Sequence, residues 1–83
     1  MNATIIKMLE KIYRMRHKPD LHSFKAKTRD GIVYVEAEEE GIFVESITYD
    51  AEGKERRERW VRPIAVTAIE LEVMGIDLTS VEN

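Results

Sequence analysis

His17, Asp20 and His22 form the one cluster in the sequence with the residue types of a metal site. They straddle Pro19, and no cysteine or second close carboxylate completes a tetrahedral set, so they read as ordinary loop histidines. Glu38-Glu39-Glu40 offers three carboxylates. Neighbouring residues of a strand point to opposite faces, and the run is expected to be a solvated hairpin tip that discourages edge pairing. Nucleophilic catalysis finds no set. Ser23, Ser46 and Ser80 lack a histidine in a motif, and the side chains of His22 and Ser23 diverge on a strand. No glycine-rich phosphate loop is present. Glu36 and Glu45 can be placed opposite each other as an acid–base pair, yet 83 residues leave little material for an enclosing cleft. No catalytic, cofactor-binding or metal-ligating residue is assigned, and an enzyme is not expected.

Binding is the chemistry that remains, and two sets of residues can carry it. Ile32, Tyr34, Phe43, Ile47, Tyr49 and Val61, with Arg57 and Arg59, make an apolar centre edged by charges of both signs. That composition suits a protein partner. The alternative is nucleic acid. Arg14, Arg16 and Lys18 at the end of a first helix, with Lys25, Lys27, Arg57 and Arg59 on strands, can meet phosphates while Trp60 and Tyr34 stack on bases. Two features count against it. Residues 30–53 carry eight acids and no base, which sets carboxylates where a phosphate backbone would lie. A second helix opens Pro63-Ile64-Ala65-Val66, with no lysine to hold phosphate. A protein partner is therefore preferred.

The element that must position these side chains is a run of alternating residues between Phe24 and Arg62. Its turns are marked by glycines. Asp30-Gly31 fits a two-residue hairpin loop, pairing Thr28 with Val33, Lys27 with Tyr34, Lys25 with Glu36 and Phe24 with Ala37. Asp50-Ala51-Glu52-Gly53 fits a three-residue loop, pairing Asp50 with Lys54, Glu45 with Arg59 and Val44 with Trp60. The connection around Glu39-Glu40 fits two or four residues. A four-stranded antiparallel meander over residues 21–28, 32–38, 42–49 and 54–61 results. One face carries Phe24, Ala26, Thr28, Val33, Val35, Ala37, Ile42 and Val44 and is expected under helices. The other carries the candidate partner residues, with Lys25, Lys27, Glu36 and Glu45.

Helices flank the meander. Ile5, Met8, Leu9, Ile12 and Met15 make one apolar stripe of a first helix, capped by Asn2 or Thr4 and continuing to about His17 before Pro19 stops it. In residues 64–74 only Thr67, Glu70 and Glu72 are polar, so a second helix must be buried on most sides. Gly75 is placed as its C′ cap, with Ile76 supplying a contact. Residues 77–83 are expected as a turn and a loosely ordered tail. The fold class is α+β, one small domain over residues 1–83 with both helices on one face of the sheet.

A chain of this size buries roughly 60–65% of its unfolded surface and is marginally stable alone. It has no cysteine for a disulfide. The apolar excess on the outer sheet face and on the far side of the second helix (some of Ile64, Ala65, Ile69, Val73 and Met74) therefore points to a homodimer. The sheet face is favoured as the contact. The expected function is a small homodimeric adaptor or regulator, without a cofactor. No apolar run is long enough to span a membrane, and the N-terminus lacks the pattern of a secretory signal, so a cytoplasmic location is expected.

Overall fold

The structure is a computed structural model describing residues 2–83. In chain order it contains α1 (Ala3–Arg14), β1 (Ser23–Thr28), β2 (Gly31–Glu38), β3 (Gly41–Tyr49), β4 (Glu55–Arg62), α2 (Ile64–Val73) and β5 (Asp77–Glu82). The fold is α+β, with an antiparallel sheet of five strands in the order β4-β3-β2-β1-β5. The four-stranded expectation is corrected by β5, which pairs with β1 inside what was expected to be a tail. Periodicity hid this strand, because its pairing is irregular. Lys25 faces Glu82 and Lys27 faces Asp77, and the Ser80 hydroxyl accepts the Lys27 N–H at 2.7 Å. Leu78 and Val81 pack against the core.

The β1/β2 register also differs from the expected one. Thr28 pairs with Gly31, Lys27 with Ile32, Lys25 with Tyr34 and Phe24 with Val35, so the loop is Arg29-Asp30. A shift of two residues keeps every side chain on its face, so the hydrophobic pattern cannot exclude it. Crowding decides the position of Gly31. A Cβ there would lie 1.8 Å from the Ile47 carbonyl oxygen, so glycine is required by the approach of β3 and not by a left-handed turn. The loop is anchored from outside, since the Arg29 N–H donates to the Met74 carbonyl and the Asp30 carbonyl accepts the Tyr49 N–H.

At the second turn Glu38 pairs with Gly41, leaving the two-residue loop Glu39-Glu40. The third is the three-residue loop expected, with Gly53 at φ 79°, Glu45 opposite Arg59 and Val44 opposite Trp60. Glu36 does not face Glu45. It faces Phe43, and Tyr34 faces Glu45, as the two-residue loop dictates.

The core gathers Phe24, Ala26, Val33, Val35, Ala37, Ile42 and Val44 of the sheet with Ile5, Leu9 and Ile12 of α1 and Ala68 and Leu71 of α2, in one buried cluster. The Asn2 side chain caps α1 by accepting the N–H groups of Thr4 and Ile5. That helix closes at Arg14, a turn earlier than Pro19 alone requires, as Met15 and Arg16 donate back to Ile12 and Tyr13. A Schellman motif ends α2: Gly75, at φ 69°, donates to the Glu72 carbonyl and Ile76 to that of Leu71. No helix among the described residues is long and apolar enough to cross a membrane.

Candidate interaction surface

Alternation along the strands sends every second residue away from the helices. Register then lines these residues up in rows across the sheet. Ser23, Glu36, Phe43 and Val61 form one row; Lys25, Tyr34, Glu45 and Arg59 the next; Lys27, Ile32, Ile47 and Arg57 the third. Tyr49 and Glu55 start a fourth. The eight residues expected to meet a protein partner thus lie together on one face. Ile32, Tyr49 and Val61 are exposed, while Tyr34, Phe43 and Ile47 are half-buried by their neighbours. The rings of Tyr34 and Phe43 meet edge-on with centroids 6.3 Å apart.

Polar groups on this face are largely paired with one another. The Tyr34 hydroxyl donates to Glu36 Oε1 at 2.6 Å. The same carboxylate lies 3.4 Å from His22 Nε2, and His22 Nδ1 lies 2.9 Å from the Lys18 carbonyl oxygen. Burial, and then the bond to Glu36, holds the Tyr34 phenol above its ordinary pKa. Glu45 receives the Arg59 guanidinium and sits 4.0 Å from that of Arg57, which also reaches Glu55 at 3.5 Å. Glu45 of β3 is therefore matched by two bases of β4, while Glu36 of β2 is engaged by Tyr34 and His22. Among the described residues, no carboxylate lies within 4.0 Å of Lys25 or Lys27, although across the β1/β5 pairing they face Glu82 and Asp77.

The alternative, nucleic-acid set is not brought together. Trp60 lies across from Val44, on the helix side of the sheet, and packs against the core, so it shares no stacking platform with Tyr34. At the end of α1, the Arg16 guanidinium lies over the Tyr13 ring and 3.4 Å from Glu39. His17 Nε2 lies 2.9 Å from the same glutamate. Arg14 and Lys18 are exposed nearby, one layer away from the outer sheet face. His17 and His22 thus address different carboxylates, Glu39 and Glu36.

No protein-family model matches this chain, and neither does any curated protein or solved structure.

Two features escaped the sequence reading. The His22–Glu36–Tyr34 chain needs the register of β2 and the turn before β1, which no spacing encodes. Val66 is exposed on α2, and its signal was the spacing of three and seven residues to Ile69 and Val73.

Proposed function

We propose that this chain is a small, non-enzymatic interaction module that works as a homodimer and binds a protein partner through the outer face of its sheet. The observation that carries the reading is the gathering on one sheet face of exposed Ile32, Tyr49 and Val61 with half-buried Tyr34, Phe43 and Ile47, with both helices packed into the core on the other side. Aromatic and aliphatic side chains interleaved with charges of both signs suit a protein contact. Lys25 and Lys27, exposed and with no carboxylate within 4.0 Å among the described residues, favour a partner segment that sets acidic residues beside apolar ones. The internal pairing of Arg57 and Arg59 with Glu45 and Glu55 weighs against a phosphate backbone as the ligand.

Site-specific photo-crosslinking in the native cell tests this. A crosslinker at position 43 is expected to give one discrete protein adduct, lost on Ile47→Glu or on the double change Lys25→Glu with Lys27→Glu. A crosslinker at Glu52, on a hairpin loop, is the control and is expected to give none. Equal adducts at both positions, or tight salt-sensitive binding of the purified chain to single- or double-stranded nucleic-acid probes, would overturn the reading.

A further inference from the structure

The second helix presents a surface that the fold leaves uncovered. Thr67, Ala68 and Leu71 are its buried residues. On the other side Val66, Ile69 and Val73 are 42%, 48% and 69% exposed. Their spacing of three and four residues places them on one stripe, with exposed Ala65 beside it. Only Glu72 among the exposed residues of α2 is charged. On the outer sheet face, by contrast, apolar side chains are interleaved with ion pairs, and Tyr34, Phe43 and Ile47 are already half-covered.

We infer that the α2 stripe is the contact between two copies of this chain, packed antiparallel about a two-fold axis near Ile69. The inference rests on the homodimer proposed above. It moves the contact from the sheet to the helix and leaves both outer sheet faces free for partners.

Charge selects the occupant and the direction. Arg62 precedes the helix, half-exposed, with its Nε paired to Glu70 at 2.9 Å and its other guanidinium nitrogens open, while Glu72 and Asp77 are exposed at the other end. The last turn of α2 contains no base; Arg29, from the β1/β2 loop, is committed to the Val73 carbonyl. An antiparallel pair brings Arg62 towards Asp77 of the partner subunit. It also sets each positive helix N-terminus beside a negative C-terminus, whereas a parallel pair aligns like ends. A two-fold axis uses the same stripe twice, so Val66 of one copy packs near Val73 of the partner subunit and the small Ala65 permits close approach. A ten-residue helix offers less than the ~800 Å² per partner of a standard interface, so the dimer is weak and concentration-dependent.

The chain has no cysteine, so introduced thiols report the geometry directly. Under mild oxidation Ile69→Cys is expected to link to itself. Ala65→Cys and Val73→Cys chains are expected to link to each other when mixed, faster than Val73→Cys links to itself. Faster self-linking of Val73→Cys indicates a parallel pair and overturns the arrangement. In sedimentation from about 1 μM to about 500 μM, the unmodified chain is expected to rise above 9.7 kDa. Ile69→Glu and Val66→Glu are expected to stay monomeric with unchanged circular dichroism, and Phe43→Glu to behave as the parent. A dimer lost in Phe43→Glu but kept in both helix variants overturns the α2 contact and leaves the homodimer standing. A monomer throughout overturns both.

Discussion

Gly31 and Gly53 show how one residue type serves two unrelated needs. At Gly53 the backbone has φ 79° and a Cβ would meet nothing within 4 Å, so the requirement is purely conformational. At Gly31 no left-handed φ is involved, and the obstacle is the Ile47 carbonyl oxygen 1.8 Å from the Cβ position. Gly53→Ala is expected to cost about 1–2 kcal/mol, the strain of an L-residue in the left-handed region. Gly31→Ala must push β3 away from the start of β2 and is expected to cost about 3 kcal/mol or more, among the large single-residue effects. Urea denaturation of the two variants measures both. Similar losses at the two positions would contradict the packing account.

Among the elements, β5 departs most from what its sequence suggests. Its residues alternate poorly, and it is held by substitutes for a regular ladder. Ser80 accepts the Lys27 N–H and donates to the Asp77 carbonyl, and Asp77 accepts both the N–H and the hydroxyl of Thr79. Ser80→Ala removes the acceptor from a backbone N–H at the sheet edge. The expected loss is about 1 kcal/mol, since water can partly replace the hydroxyl. The more telling readout is local: amide exchange at Lys27 is expected to accelerate while that of Val35 and Val44, in the buried middle strands, does not. Uniform acceleration across the sheet would show that β5 is not a separable edge element.

At the scale of the whole molecule, two groups link folding to pH from opposite ends. The Tyr34 phenol lies above its ordinary 10.0, so its contribution is present in full below about pH 10 and is lost as pH rises through the higher folded value. The Asp77 carboxyl is held below its ordinary 3.8, chiefly by the Thr79 side chain. Its contribution is present above about pH 4 and is lost as pH falls through the lower folded value. Between those limits neither group changes stability. Glu36→Gln removes the charge and weakens the bond that hold the Tyr34 proton, so the Tyr34 titration, followed by the carbon shift of its ring, is expected to move down. A titration unchanged by this variant would leave burial as the whole cause. The molecule is also thin. Its shortest extent is 21 Å, the thickness of one sheet and one helical layer, because both helices pack on the same side and leave the second sheet face without a layer.

Much of this arrangement was legible in the chain itself. Alternation from Phe24 to Arg62 separated the buried Val33, Val35 and Val44 from the exposed Ile32 and Val61. Asp50 and Gly53 determined the third turn, and Gly75 the end of α2, because a left-handed residue after a hydrophobic run has few other uses. The same alternation gathered the candidate partner residues on one face, since period two is a local property of any strand. It could not determine the β1/β2 register, which is unchanged in face by a two-residue shift and was decided by contacts from Met74, Ile47 and Tyr49. Nor could it reveal β5, whose partner strand lies some fifty residues earlier and whose backbone is satisfied through Ser80. The contacts of Arg57 with Glu45 and Glu55, and the exposure of Val66 beside Ile69 and Val73, likewise depend on which surfaces meet. Those are relations between distant segments, and only the tertiary structure contains them.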